Sequence, residues 1–224
     1  MNYVPGDLRD QLAHVGYDVV QAGLVCGSGG NLSARIPDED ACWVTASGTW
    51  LDRLSRSSFT SVRISDGSPA AVGGLPAGRV GPTSEIALHL ALYRARPDVN
   101  AVVHLHPQTA LLLDALGEHV RIVTTDHAFY LRRVSTVPFR MPGSTELAAL
   151  TAAMVADGTN CLVLSQHGSV VMADSVELAH KRARNLEEAA TLTYRAIAAG
   201  RLDGLRDCPD EFVSRLSSTT ALTV

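Results

Sequence analysis

Apolar residues recur at helical spacing over residues 6–22, where Leu8, Leu12, Val15, Val19 and Val20 share one face. The pattern then breaks into a glycine-rich loop, G-L-V-C-G-S-G-G-N-L-S over residues 23–33. Short strands are expected at 32–36 and, past the turn P-D-E-D, at 42–45, with another at 61–65. Residues 66–81, rich in Gly, Pro and Ala, read as a surface excursion. G-P-T-S-E then opens a helix to about Arg96, with Thr83 or Ser84 as its N-cap and Glu85 in its first turn. Pro97 and Asp98 end it, and the run N-A-V-V-H-L-H over 100–106 reads as a strand closed by Pro107.

Further along, the pattern predicts helices at 109–116, 144–156 and 175–199 and strands at 120–124, 134–137, 161–164 and 170–172. The polar and aromatic segment 125–130, T-D-H-A-F-Y, is suited to line a pocket mouth. From Arg201 onward the tail reads as polar and irregular. No internal repeat interrupts this alternation of helices and strands.

Composition narrows the class. A chain of 224 residues with 46% apolar residues can fill one core, so residues 1–224 are expected to form a single domain. No apolar run is long enough to span a bilayer, and the N-terminus shows no basic-then-apolar leader, so a cytoplasmic protein is expected. A net charge of −4 argues against nucleic acid or an acidic membrane as partner. Cys26, Cys42, Cys161 and Cys208 are scattered without a C-x-x-C pair and are expected to be free, buried thiols. Lys181 is the only lysine, and it lies in the cationic turn H-K-R-A-R. Schiff-base chemistry needs a desolvated lysine, so a carbonyl substrate would require a metal as its electron sink.

Candidate chemistry centres on His104 and His106. Alternate strand residues share a face, so the two imidazoles point together and make half of a transition-metal site. By itself H-x-H equally describes two half-exposed histidines at a strand end. His167, followed by Gly168 at the end of another strand, is a candidate third ligand. Glu85 is either simple helix-end chemistry or an acid aimed across a cleft, and His89, one turn on, reads as a hydrogen-bonded packing residue. The glycine-rich segments could present donors to a phosphate or simply connect a hairpin; without G-x-x-x-x-G-K-[ST] they are not an ATPase loop.

Five motifs, G-S-G-G-N-L-S-A-R, V-T-A-S-G, P-T-S-E, A-V-V-H-L-H-P and L-S-Q-H-G, occur in the order and spacing of the class II aldolase/adducin family. The chain resembles that family over residues 8–197, and within it the fuculose-phosphate aldolases most of all. The resemblance implies an α/β fold, a three-layer α/β/α domain with a largely antiparallel central sheet. It implies cyclic homotetramers with active sites at subunit boundaries. Carried over by motif, His104, His106 and His167 would hold a divalent ion, normally Zn2+ with Mn2+ or Co2+ as alternatives, and Glu85 would be the acid–base residue and an optional fourth ligand. Asn31, Ser47, Gly48, Thr83 and Ser84 would hold the substrate phosphate. The implied reaction is reversible cleavage of a ketose 1-phosphate, through a metal-stabilised enediolate, to dihydroxyacetone phosphate and a short aldehyde. Glu85 is then expected to carry a pKa raised by its dry pocket.

Two departures bear on the substrate. Where the fuculose-phosphate enzymes have tyrosine after a mid-chain histidine, His127 is followed by Ala128, leaving Tyr130 as the candidate two positions later. The tail after Gly200 contains no tyrosine. Sugar-phosphate 4-epimerases share the fold and the three-histidine site, but their motif carries aspartate at the Glu85 position, while the Asp126-His127 pair here favours them; decarboxylases and dehydratases of the family are further alternatives. Adducin-like binding modules share the fold without the metal site.

Overall fold

The computed structural model describes residues 6–73 and 80–218. Its strands are β1 (Asn31–Arg35), β2 (Ala41–Thr45), β3 (Phe59–Arg63), β4 (Ala101–Leu105), β5 (Ser135–Val137), β6 (Cys161–Leu164) and β7 (Gly168–Ala173). They form one sheet in the order β3-β2-β1-β4-β7-β6-β5. The β5–β6 pair is parallel and the other five pairings are antiparallel. The helices are α1 (Leu8–Gln21), α2 (Ile86–Ala95), α3 (Gln108–Ala115), α4 (Thr125–Tyr130), α5 (Thr145–Val155), α6 (Val176–Ala198) and α7 (Asp210–Ser218).

Strand alternation divides the core into two layers. Leu32 and Ala34 of β1, Val103 and Leu105 of β4, and Val171 and Ala173 of β7 pack with Leu12, Val15, Ala179 and Leu186 of α1 and α6. The intervening Val102, Val170 and Met172 pack on the opposite face with Leu88, Leu92, Leu147 and Val155 of α2 and α5. The expected three-layer α/β/α architecture with a largely antiparallel sheet is therefore present. His104 follows Val102 on the α2 face, as Asn31 and Ser33 do in β1, and Asn31 is paired with His104 across the ladder.

Several expectations need correction. Residues 120–124 are not a strand. The Arg121 N–H donates to Thr193 Oγ1 of α6, the Ile122 carbonyl accepts from Cys208, and the Val123 and Thr124 N–H groups face His127 Nδ1. The β-branched run found side chains and a loop to pair with rather than a strand. β3 starts two residues earlier than the predicted 61–65. As far as residue 218 the tail is not irregular. Residues 202–204 form a short 3-10 turn, and α7 docks Leu216 beside Ala128 and Cys208. Of the excursion at 66–81, residues 74–79 lie outside the described part. Its first portion packs, with Pro69 bridged to Val62 and Ala70 and Val72 buried beside Ile36 and Ala41. Cys26 is exposed, while Cys42, Cys161 and Cys208 are buried and all four are free. No helix of the described residues is long and apolar enough to cross a membrane.

Candidate metal centre and its cavity

His104 is the penultimate residue of β4, and His106 lies one residue past its end, on the same face. His167 sits in the tight turn from β6 to β7, its N–H donating to the Leu164 carbonyl. The ring centroids lie 5.0 Å apart for His104–His106, 4.8 Å for His104–His167 and 5.5 Å for His106–His167. One nitrogen from each ring falls within a common radius, all within 4.8 Å of one another.

The turn that delivers His167 is strained and clasped. Gln166 holds φ +55°, a left-handed conformation uncommon for a side chain of its kind. The Asp114 carboxylate of α3 accepts from the Gln166 N–H at 2.8 Å and from Ser165 Oγ at 3.0 Å. Glu187 of α6 in turn caps the start of α3, accepting from the Thr109 and Ala110 N–H groups at 2.8 and 3.0 Å. Because α3 begins just after His106 and Pro107, one short helix ties two ligand positions together. Gly168 is obligatory here, since a Cβ would lie 2.6 Å from the Leu105 carbonyl oxygen and 2.8 Å from both the His104 and His106 rings. Neither Asp114 nor Glu187 carries a motif signal; a carboxylate near the end of a short helix or midway along a long one reads as surface chemistry until the backbone it holds is seen.

Glu85 departs from its expected place in the first turn. Helix α2 starts at Ile86, and Glu85 is the N-cap position without using its side chain as a cap. The Thr83 hydroxyl accepts from the Glu85 N–H at 3.3 Å, which frees the carboxylate to turn inward. Oε2 lies 2.9 Å from His104 Nε2 and accepts from Asn31 Nδ2 at 2.9 Å, while Oε1 lies 3.2 Å from His167 Nε2. Burial alone pushes this carboxyl up, but the hydrogen bond and charge of His104, the Asn31 amide and His167 hold it well below the usual carboxylate range. The raised pKa expected of a dry pocket is thereby reversed, because imidazoles and an amide outweigh desolvation.

The donor set fits a divalent cation. His104 Nδ1 donates to the Ser169 carbonyl at 2.9 Å, so in the neutral ring Nε2 carries a bare lone pair. That lone pair faces the Glu85 carboxylate at 2.9 Å and His106 Nε2 at 3.2 Å. A proton on His104 Nε2 satisfies these facing groups in the metal-free site, and a divalent cation would take its place when bound. Burial, followed by the neighbouring imidazoles, lowers His106 to about 4, and burial lowers His167 as well. Both are then neutral at pH 7, the form that binds metal. Three imidazoles and one carboxylate, with no cysteine, match a catalytic rather than a structural site.

A cavity of about 290 Å3 opens beside the centre, lined by residues 28–31, 45–49 and 83–85 together with His106, Pro142 and His167. Ser47, Gly48, Thr83 and Ser84 all lie on it. Asn31 does too, but its side chain is directed to Glu85 and His89 rather than into the open space. Among the described residues no lysine or arginine lines the cavity, and the hydroxyls and backbone N–H groups there can meet an anion. The glycine loop packs directly on the ligands: a Cβ on Gly29 would meet His106 Nδ1 at 2.8 Å, and one on Gly30 the His104 carbonyl at 2.8 Å.

Tyr130 is not brought here within one chain. Its carbonyl accepts from Arg182, which also donates to the Met172 carbonyl. Met172 is four residues along β7 from Gly168, roughly 13 Å at strand rise. The segment expected to line the pocket mouth is helix α4, with His127 buried beneath it.

The profile of the family described as the class II aldolase and adducin N-terminal domain matches residues 10–194. The chain belongs to the class II aldolase and adducin family. It is 31% identical over 215 residues to the 3-oxo-tetronate 4-phosphate decarboxylase of Escherichia coli strain K12, covering 91% of this chain and 97% of that one. It is 29% identical over 184 residues to an L-fuculose phosphate aldolase of Methanococcus maripaludis, covering 82% and 92%. The crystal structure of YgbL from Escherichia coli superimposes with a TM-score of 0.81 at 28% identity, covering 93% and 97%.

Proposed function

We propose that this protein is a divalent-metal-dependent carbon–carbon lyase that cleaves a ketose 1-phosphate to dihydroxyacetone phosphate and a short aldehyde. The observation that carries the reading is the convergence of His104, His106, His167 and Glu85 beside a cavity of neutral hydrogen-bond donors. The ion is proposed to be Zn2+, with Mn2+ or Co2+ as substitutes, held by the three histidines. When bound, it would polarise the keto oxygen and stabilise the enediolate left by cleavage.

The chain's own residues account for the proton transfers. Cleavage requires a proton to leave the hydroxyl of the departing carbon and another to reach the carbon that kept the electron pair. Glu85 rests ionised, so it can take the first proton as a base and return it to the carbanionic carbon as an acid. Ser47, Gly48, Thr83 and Ser84 are proposed to hold the phosphate, fixing that carbon against Glu85. Tyr130 is proposed to serve a neighbouring subunit's site. A homotetramer with sites at its boundaries is supported by exposed Trp50 and Met141, which adjoin the cavity residues Thr49 and Pro142 in sequence.

A second reading, decarboxylation of a 3-oxo sugar-acid phosphate, is favoured by two observations. The decarboxylase relative spans nearly the whole chain, and no tyrosine of the described residues lines the cavity. Loss of carbon dioxide needs no base for a departing hydroxyl. Both reactions leave the same carbanion, and both release dihydroxyacetone phosphate.

The test is release of dihydroxyacetone phosphate by zinc-loaded protein from L-fuculose 1-phosphate, 5-deoxyribulose 1-phosphate and 3-oxo-tetronate 4-phosphate. Release from either ketose, abolished by a chelator and restored by zinc, supports the aldolase. Release from the oxo acid alone, with carbon dioxide, replaces it by the decarboxylase. No release from any of the three, or undiminished turnover by metal-free protein, overturns the reading.

A further inference from the structure

Glu85 ends a row of buried polar groups that runs back into the core between β1 and α2. Oε2 accepts from Asn31 Nδ2 at 2.9 Å, and Asn31 Oδ1 lies 2.5 Å from His89 Nε2. His89 Nδ1 lies 2.7 Å from Ser33 Oγ, which lies 2.7 Å from the Tyr93 hydroxyl. His89 and Ser33 are 0% exposed and Tyr93 1%, beside 5% for Asn31 and 7% for Glu85. Packing alone does not call for five polar side chains in series where apolar residues would fill the space, because each must be satisfied to be tolerated.

The hydrogen-bond inventory fixes the direction of the row. An ionised carboxylate only accepts, so the Asn31 amide must present Nδ2 to it and Oδ1 to His89. His89 must then carry its proton on Nε2 and leave Nδ1 as an acceptor. Ser33 donates to Nδ1 and accepts from Tyr93. Every donor therefore points toward Glu85. Burial lowers His89 to about 3, in keeping with a neutral ring. Glu85 Oε1, by contrast, is buried without a hydrogen-bond partner and faces His167.

We propose that His89 is a positioning residue: through Asn31 it pins Glu85 Oε2 and reserves Oε1 as the oxygen that exchanges the proton with substrate. This rests on the reading of Glu85 as the acid–base group. An amide does not pass a proton along, so the row orients the carboxylate and does not conduct. Protons reach Glu85 from the cavity side only.

Two measurements test it. In metal-free protein carrying 15N-labelled histidine rings, two-bond 15N–1H spectra are expected to show His89 as the Nε2–H tautomer from pH 8 to 5, its signals assigned by their loss in His89→Gln. The Nδ1–H tautomer, or a charged ring in that range, overturns the proposal. In the zinc-loaded enzyme, His89→Phe removes the donor and His89→Gln supplies an amide N–H near the same place. His89→Phe is expected to lower kcat by roughly tenfold to 100-fold, the cost of a misaimed catalytic group. KM is expected to stay within about threefold, and His89→Gln to recover most of the loss at equal zinc content. Equal loss in both variants assigns His89 to packing and overturns the proposal, as does full activity in His89→Phe. Should no substrate be turned over, the lyase reading falls, while the tautomer still decides whether the row points at Glu85.

Discussion

Two hollows lie at opposite ends of the sheet. At one, the start of β1, the end of β4 and the β6–β7 turn converge on three histidines and Glu85. At the other, α4, α7 and residues 157–160 surround a somewhat larger space of about 390 Å3. In the larger hollow the cations are matched: Arg133 pairs with Asp157 at 2.6 Å, and Arg132 donates to the Leu216 carbonyl at 3.0 Å. In the smaller one Glu85 Oε1 and His167 Nδ1 are two of the four buried side-chain polar atoms without a hydrogen bond among the described residues. It also holds a strained Gln166 and a Gly168 with no room for a Cβ. Size does not tell the two apart. Left-handed backbone does not either, since Arg132 beside the larger hollow holds φ +57°; the crowded Gly168 and a carboxylate oxygen left unpaired among histidines mark a place arranged to meet something from outside.

The largest expected effect breaks that contrast at its centre. Glu85→Gln keeps three imidazoles, so zinc stoichiometry should stay near that of the parent, while kcat falls about 100-fold to 10,000-fold, the usual worth of a general acid–base group. Retained turnover would dismiss Glu85 from the chemistry.

Gly168→Ala comes next. The added methyl must displace the Leu105 carbonyl or the histidine rings. Thermal unfolding should drop by the equivalent of about 1–3 kcal/mol, and zinc retention in a competition with a chelator should fall with it. Unchanged zinc retention would mean that the turn is looser than its packing implies.

A smaller effect belongs to Asp114→Ala, which releases Ser165 and Gln166 without touching a ligand. Zinc affinity is expected to weaken about tenfold, the lower end of what outer supports of metal ligands contribute, with the far-ultraviolet circular dichroism unaltered. If affinity holds and stability alone falls, the clasp serves the fold and not the site. The smallest effect is reserved for the other hollow. Arg133→Ala removes an ion pair whose partners are half exposed, and it should cost at most about 1 kcal/mol and leave zinc binding and turnover as they are.

The grouping of the three candidate ligands was legible in the sequence because strand periodicity fixes their geometry: His104 and His106 must share a face, and a glycine after His167 announces a tight turn. Their supports were not. Asp114 reaches the β6–β7 turn from a helix 51 residues earlier in sequence than Ser165, a relation that only the folded chain creates. Asn31 sits in a phosphate-loop motif, yet its position opposite His104 turns its amide toward Glu85. His89 was read correctly as hydrogen-bonded, but its partners Ser33 and Asn31 lie more than fifty positions away. The strand expected at 120–124 failed because β-branched residues state a preference and not a partner. α7 had a signal that went unread, Phe212 and Leu216 one turn apart behind Pro209, and the surrounding charge obscured it.

The borders of the sheet carry a last consequence. β3 is roofed on its outer side by the segment through Pro69 and Ala70, with Ala70 N–H bonded to the Ser61 carbonyl. β5 offers three residues before Pro138. Neither margin presents a run of vacant backbone groups on which a further strand could template itself. Copies of this chain are thereby steered away from ladder-by-ladder stacking into fibres, and any ring they form must be joined through side chains on helices and loops.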